Sequence, residues 1–194
     1  MSKKKTAKKK VISKKVKTQS SILSTQSEWP EKRNIFFRPE RMKYVRKLVK
    51  QQGCVFCQAA VGEISVDTLC LYKSAFSQIV LNKYPYNNGH LLVLPIEHHG
   101  QILALSANQY TDLHATLKMA IEAIESVYQP QGYNIGMNHG ATGGAGIPDH
   151  LHYHIVPRWS GDLNFFPLIA NTKLVIETVE TSYLKFSTYF QKRS

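Results

Sequence analysis

DHLHYHIVP, residues 149–157, is the stretch from which the rest of the fold can be inferred. Histidine occupies every second position (His150, His152 and His154), and apolar residues fill most of the positions between them. Because a β-strand points successive side chains to opposite faces, this pattern predicts one strand with three imidazoles on one face. The apolar residues of the other face are expected to pack on a helix.

Three interpretations of this histidine face follow from chemistry alone. The rings could be partly exposed groups of a polar sheet face, or they could be metal ligands, a role common for imidazole. The third interpretation is catalysis, because a neutral imidazole is a good nucleophile toward phosphorus. Neighbouring imidazoles can then donate hydrogen bonds to the phosphate oxygens as charge develops there.

The remaining sequence contains a mixture of predicted strands and predicted helices. A helix is predicted from Ser106, where Ser106 and Gln109 fit a capping box, to Tyr128, just before Pro130. Other segments with a strand or helix pattern are the strands Phe76–Asn82, His90–Pro95 and Tyr133–Asn138 and the helices Arg41–Gln52 and Ile176–Phe190. This mixture predicts an α+β fold on an antiparallel sheet.

The positive charge of the chain is concentrated at its N-terminus. Residues 1–18 contain nine lysines and no acidic residue, and without them the net charge falls from +12 to +3. Such a stretch buries too little apolar surface to offset the entropy of ordering, so we predict a disordered tail over residues 1–20 and a folded domain over residues 21–194. The tail is interpreted either as an attachment to nucleic acid or other polyanions, or as a solubilising segment.

The cellular location is predicted from what the sequence lacks. No apolar run approaches the roughly 20 residues that span a bilayer, and no secretory signal pattern follows the lysines. Three cysteines, an odd number, argue against a disulfide framework. We therefore expect a cytoplasmic protein with no membrane partner.

Cys54 and Cys57 form a C-x-x-C pair that is ambiguous by itself. The spacing occurs in zinc sites and in redox pairs, and it is also compatible with a buried apolar pair. Cys70 stands alone and is interpreted as a small buried hydrophobe.

Several motifs together resemble one family. HLHYHIVPRW (150–159) is similar to the signature of the histidine-triad (HIT) family of nucleotide hydrolases and transferases. RMKY (41–44), CVFC (54–57), NKYPYNNGH (82–90), GAGIPDHLHYH (144–154) and PRWSGDLNF (157–165) resemble its branch of diadenosine tetraphosphate phosphorylases. The resemblance runs from about Arg41 to the end of the chain and does not cover the lysine-rich tail.

This resemblance implies a chemistry for the histidines. In the family the middle histidine is the nucleophile, which by motif position is His152. It would attack the α-phosphorus of a dinucleoside polyphosphate and form a nucleotidyl-histidine, which water or inorganic phosphate would then release. His150 and His154 complete the expected catalytic group with Asn138, which would touch the phosphate or the bridging oxygen. The alternative is a nucleotide-binding or basic-tailed nucleic-acid adaptor module without turnover.

The resemblance also implies substrate contacts. Asn82 matches the ribose-binding position, although a simple turn residue is an equal alternative, and His90 matches a histidine that supports the site by hydrogen bonding. Gly144, Ala145 and Gly146 lie where the family binds phosphate, and glycine lets backbone N–H groups approach anionic oxygen. This loop lacks the Ser or Thr of many hydrolase relatives, which leaves the choice between water and phosphate open.

A structural zinc ion and a dimer are the last expectations that the resemblance implies. By comparison with some bacterial relatives, the zinc ligands would be Cys54, Cys57, His98 and His150, with His99 as the rival of His98. A closed Cys₂His₂ set would pin the N-terminal helix to the sheet. The family resemblance further implies an adenine nucleotide as substrate and a homodimer whose sheets join edge to edge to form one continuous sheet.

Overall fold

The computed structural model describes residues 53–162 and 176–193 of the chain. The predicted tail of residues 1–20 and the predicted helix Arg41–Gln52 lie outside the described residues. Of the described helices, none combines the length and the apolar character needed to cross a membrane.

A five-stranded antiparallel sheet forms the centre of the described fold. Its strands are β1 (Cys70–Lys73), β2 (Ser77–Leu81), β3 (Leu91–Pro95), β4 (Gly132–Gly136) and β5 (Tyr153–Arg158). They lie side by side in the order β1-β2-β3-β5-β4, and every neighbouring pair is antiparallel. The α+β class is therefore confirmed, and β2 and β3 pair as an antiparallel hairpin.

Within residues 53–162 and 176–193, three α-helices accompany the sheet: α1 (Val55–Val61), α2 (Ala107–Tyr128) and α3 (Val179–Gln191), with a short 3-10 helix at Ile102–Ala104. The predicted capping box begins α2, since the Ser106 hydroxyl accepts from the Gln109 N–H and the Gln109 side chain accepts from the Ser106 N–H. The helix ends where Gln129 adopts a left-handed conformation with φ of 46°. Its boundaries are close to those the sequence predicts.

The two faces of the sheet pack against different helices. Buried residues of one face, including Ile79, Val93 and Ile155, form the main core with α2 and α3. Buried residues of the other face, including Val80 and Leu92, pack against Phe56 of α1. His154 lies directly opposite Leu92 in the antiparallel register and therefore shares its face. The histidines and α1 thus meet on the same side of the sheet.

The predicted start of β5 is wrong. The regular strand begins at Tyr153, so His150 and His152 precede it instead of belonging to it. The physical reason is that the preceding backbone bonds to loops and not to β3: the Leu151 N–H donates to the His99 carbonyl at 2.6 Å, and the His150 N–H donates to the Ile147 carbonyl at 3.3 Å. The predicted packing of Leu151 and Ile155 into the core is nevertheless confirmed.

Candidate active site and metal cluster

His152 is held by a main-chain carbonyl immediately before it. Its Nδ1 lies 2.8 Å from the His150 carbonyl oxygen, which can only accept, so Nδ1 carries the proton and Nε2 carries the lone pair. The residue is 6% exposed, and burial lowers the pKa of His152 although this hydrogen bond opposes the shift. Within the described residues no group hydrogen-bonds to Nε2. The arrangement keeps a neutral ring with a nucleophilic Nε2.

His90 and His154 form a second set of oriented rings. The Tyr86 N–H donates to His90 Nδ1 at 3.0 Å, so that nitrogen must accept and His90 Nε2 carries the proton. His90 Nε2 in turn lies 3.0 Å from His154 Nδ1 and donates to it. His154 is therefore left with its proton on Nε2, which suits a hydrogen-bond donor to an anionic oxygen.

The rings of this set lie close together, and those of Tyr86 and His154 are stacked. The Tyr86 ring centroid lies 4.9 Å from that of His90 and 5.8 Å from that of His154, and the His152 and His154 centroids are 5.0 Å apart. His90 is fully buried, and both of its nitrogens have protein partners. His90 therefore lies behind His154 and is hydrogen-bonded to it, and its role as a support stays a prediction.

Asn82 adjoins the same set from the end of β2. Its side-chain oxygen accepts from the Tyr84 N–H at 2.9 Å, and its Nδ2 lies 3.2 Å from His90 Nδ1. The amide thus closes the turn, as the alternative interpretation of Asn82 expects, and touches the histidine set. Ribose binding by Asn82 stays a prediction.

The glycine-rich loop follows β4 and is exposed over most of its length. Asn138 at its start is exposed. The N–H groups of Gly144 and Ala145 donate within the loop, to the carbonyls of Ala141 and Gly140 at 3.0 and 3.3 Å. Contacts of Gly144 and Ala145 amides with a phosphate, which stay predictions, would require these donors to change partner.

A cluster of two cysteines and two histidines lies beside the histidine site. The ligand atoms of Cys54, Cys57, His98 and His150 are all within 4.8 Å of one another. Cys54 is the N-cap of α1, and Cys57 lies within its first turn. Two sulfurs and two imidazole nitrogens form a donor set typical of tetrahedral zinc, so these residues fit that ion.

His150 faces this cluster with a defined ring nitrogen. Its Nε2 donates to the Pro95 carbonyl at 2.9 Å, which leaves the lone pair on Nδ1, 3.4 Å from Cys54 Sγ and 3.5 Å from Cys57 Sγ. Burial lowers the pKa of His150 to about 4, against the opposite effect of the Pro95 hydrogen bond. The ring therefore points toward the cysteines, whereas the main-chain carbonyl of His150 contacts His152, and a catalytic role of His150 stays a prediction.

The two candidate histidine ligands on the loop after β3, His98 and His99, have different contacts. His98 Nδ1 lies 3.2 Å from Cys57 Sγ, whereas His99 Nε2 lies 3.1 Å from the Glu97 carboxylate. The cluster therefore includes His98, the residue that motif position indicates, and leaves out the His99 side chain.

Sequence patterns did not identify two aromatic residues of the site, Phe56 and Tyr86. Phe56 lies between the two cysteines, and its ring centroid is 5.4 Å from His150 and 5.0 Å from His152. The Tyr86 ring stacks on the ring of His154. The only sequence signals were their positions inside the CVFC and NKYPYNNGH motifs, where either residue could equally be part of the core.

Fold and site together define a class of small α+β proteins in which one antiparallel sheet presents clustered histidines beside a glycine-rich loop. The HIT domain family profile matches residues 63–161, and the chain belongs to the HIT domain family. The resemblance drawn from the motifs is therefore confirmed for the family.

Individual relatives cover only part of the chain. An AP-4-A phosphorylase of Mycobacterium tuberculosis is 42% identical over 96 residues, which is 50% of this chain and 49% of that protein. The adenosine 5'-monophosphoramidase hnt1 of Schizosaccharomyces pombe is 32% identical over 106 residues, covering 55% of this chain and 74% of that protein. The alignment thus spans about half the length of the phosphorylase.

Solved structures share the fold. The crystal structure of a Zn-bound histidine triad family protein from Mycobacterium smegmatis superposes with a TM-score of 0.56 at 22% identity, covering 73% of this chain and 98% of that one. This similarity concerns the fold alone.

Proposed function

We propose that this protein processes dinucleoside polyphosphates, such as diadenosine tetraphosphate, through a nucleotidyl-histidine intermediate on His152. The observation that carries the proposal is the hydrogen bond from His152 Nδ1 to the His150 carbonyl, because it leaves the Nε2 lone pair for attack. The position of His152 in the motif shared with the family supports the same role.

The proposed reaction has two displacements at phosphorus. His152 Nε2 forms a bond to the α-phosphorus while the bond from that phosphorus to the bridging oxygen breaks, and the remaining nucleoside polyphosphate leaves as the anion. An oxygen of inorganic phosphate then attacks the same phosphorus, the P–N bond breaks, and its electron pair returns to Nε2. With diadenosine tetraphosphate and phosphate, the products are ATP and ADP.

Other side chains are assigned to the substrate in this proposal. His154, with its proton on Nε2, donates to an oxygen of the α-phosphate as charge accumulates there. Asn138 and residues 144–146 are exposed or half-buried at the start and end of the glycine-rich loop, where they contact the phosphate chain. Asn82 contributes to the ribose site, and His90 acts through His154.

The name of one relative favours inorganic phosphate as the acceptor. The M. tuberculosis relative is named AP-4-A phosphorylase, and inorganic phosphate is the acceptor in phosphorolysis. Since the alignment covers about half of that protein, its substrate is adopted here as a proposal.

Incubation of the full-length chain with diadenosine tetraphosphate, with and without phosphate, tests the proposal. ATP plus ADP formed only with phosphate supports phosphorolysis, whereas AMP indicates that water is the acceptor. Binding of adenine nucleotides with no turnover would contradict the proposal and support the nucleotide-binding module.

The variant His152→Ala tests the nucleophile directly. We expect a rate loss of about 10³-fold or more, because the covalent path is removed. His114→Ala, which removes a half-buried histidine of α2 that lies outside this site, is the matched control. Activity retained in a folded His152→Ala protein would remove His152 from its role.

We further propose that Cys54, Cys57, His98 and His150 bind a structural zinc ion. The support is the geometry of the four ligand atoms and their donor types. Such an ion would join α1, the loop after β3 and the segment before β5. Cytoplasmic location, the homodimer and contacts of the lysine-rich tail with polyanions remain predictions alongside it.

A further inference from the structure

One peptide group, between His150 and Leu151, is held from both sides. Its carbonyl accepts from His152 Nδ1 at 2.8 Å, and its N–H donates to the His99 carbonyl at 2.6 Å. Because His152 depends on this carbonyl for its tautomer, the orientation of the peptide sets the direction in which Nε2 points.

The residues of the Cys/His cluster flank this peptide. His150 contributes the carbonyl through its main chain while its ring lies in the cluster. On the other side, His98 of the cluster immediately precedes His99, whose carbonyl holds the N–H. A bond network that fixes the rings of His98 and His150 relative to each other therefore also fixes the peptide that orients His152.

A second connection runs through α1. Phe56, placed between the cysteines, packs its ring against both His150 and His152. The loop after β3 also packs tightly on the chain before His150, since a Cβ at Gly100 would lie 3.0 Å from the Pro148 carbonyl oxygen. Both cysteine and histidine ligands thus belong to segments that touch the surroundings of the nucleophile.

We propose that the cluster of Cys54, Cys57, His98 and His150, when it holds a metal ion, positions His152 for attack. The cluster is then a positioning device for the nucleophile in addition to a link between segments. This inference deepens the proposed function and depends on it for the chemistry, but the orientation of His152 can be measured without turnover.

The variant His98→Ala is the best test, because His98 is exposed and its loss leaves no cavity in the core. Three properties are measured on the zinc-loaded full-length chain: metal content, kcat and KM with diadenosine tetraphosphate, and the tautomer of His152 from long-range ¹H–¹⁵N spectra. His152→Ala assigns the signals of that ring. His98→Cys is the conservative variant, and His114→Ala is the control.

We expect wild-type protein and His114→Ala to bind zinc and to show His152 as a single Nδ1–H tautomer. His98→Ala should bind zinc substoichiometrically, show a mixture of tautomers at His152, and lose about 10- to 100-fold in kcat with KM nearly unchanged. His98→Cys should restore all three properties. If His98→Ala does not fold, wild-type protein stripped with a chelator provides the same comparison.

The inference is overturned if the metal-free protein keeps a single His152 tautomer and full kcat, or if His98→Ala still binds one zinc ion. Should the wild-type chain consume no dinucleoside polyphosphate at all, the proposed function fails, while the tautomer comparison still decides whether the cluster orients His152.

Discussion

Main-chain partners assign a different role to each histidine in the site. A neutral imidazole has one nitrogen that donates and one that accepts, so a partner at one nitrogen fixes the other. The His150 carbonyl frees Nε2 of His152, the Pro95 carbonyl frees Nδ1 of His150, and the Tyr86 N–H gives His90 a donating Nε2. Three rings of one residue type are thus prepared for three proposed roles: a nucleophile, a metal ligand and a support.

The support role of His90 leads to a prediction about His154. In His90→Leu, which keeps the side-chain volume, His154 Nδ1 loses its donor and the Tyr86 N–H loses its acceptor. We expect kcat to fall by about 10²-fold, with a much smaller change in KM, because His154 no longer keeps its proton on Nε2. Steady-state kinetics on the purified variants would measure this split.

His90→Gln is the matched comparison for this prediction, because its amide can still accept from Tyr86 and donate to His154. It should retain more activity than His90→Leu. Equal activity of the two variants, both folded, would show that hydrogen bonding by His90 does not matter. A uniform rise in KM with unchanged kcat would instead indicate a role in binding.

Residue types could be predicted from the sequence, whereas their orientation could not. The alternation in DHLHYHIVP correctly placed Ile155 in the core. It did not reveal that the His150 ring turns toward the cysteines, because that direction depends on Pro95 and Cys54, and Cys54 lies 96 residues away. His98 and His99 are equivalent by composition, and the structure separates them by the contact of His98 with Cys57 and of His99 with Glu97.

At the scale of elements, the start of α3 depends on one carboxylate. Glu177, just before the N-cap Thr178, accepts from the Tyr128 hydroxyl at 2.8 Å and pairs with Lys185. Burial raises the pKa of Glu177, but the hydrogen bonds from Lys185 and Tyr128 and the charge of Lys185 outweigh it, so the pKa lies below its usual value. The ionised carboxylate therefore joins α3 to α2.

This contact predicts a pH-dependent effect of Glu177→Gln. Because the folded-state pKa is depressed, the contribution of Glu177 is fully present above the unfolded-state pKa and is lost as the pH falls through the folded-state value. We expect a loss of about 1 kcal/mol in unfolding free energy at pH 7, shrinking between about pH 5 and pH 3. Urea unfolding at several pH values measures it.

Glu63→Gln, at an exposed position of the loop after α1, is the control for this series. Its unfolding free energy should follow that of the wild type at every pH. A loss in Glu177→Gln that stays constant down to pH 3 would mean that packing, and not the charge of the carboxylate, holds α3.

The thermal stability of the protein should depend on a zinc ion held by the cysteines at the start of α1. Removal of zinc by a chelator is expected to lower the melting temperature by about 5 to 10 °C, the effect of losing a ligand bound well above its Kd. His98→Ala should abolish the zinc-dependent part of this shift, whereas His99→Ala should retain it, since the His99 ring lies on Glu97. A shift that survives in His98→Ala but disappears in His99→Ala would reverse the ligand assignment.

Local signals explain which elements could be predicted. The capping box at Ser106 and the apolar run before Pro95 are complete within a few residues, so α2 and β3 were predicted nearly to their ends. Strand β1 and helix α1 were missed, because four and seven residues are too short to establish a period. The start of β5 was placed too early because a local turn bond to Ile147 and a tertiary bond to His99 interrupt an otherwise regular alternation.

At the scale of the whole molecule, the two edges of the sheet differ. The edge strand β1 has its Cys70 carbonyl bonded to the Tyr183 hydroxyl of α3 at 2.9 Å. The other edge strand, β4, exposes its last three residues, and Ile135 is 45% exposed there. An edge with apolar exposure and outward backbone groups is a site where a second strand can add. The predicted edge-to-edge homodimer is therefore best placed at β4.

Ile135→Lys tests this placement, since a lysine on an edge strand disfavours pairing with another edge. Light scattering should give twice the monomer mass for the wild-type chain and the monomer mass for Ile135→Lys. Leu184→Lys changes an apolar residue of α3 that is 63% exposed and should remain dimeric. A monomeric wild type would exclude the dimer, and a dimeric Ile135→Lys would move its interface away from β4. If activity and His152 orientation persist in the monomer, each chain carries a complete site, as expected when every proposed catalytic and metal-binding residue comes from one chain.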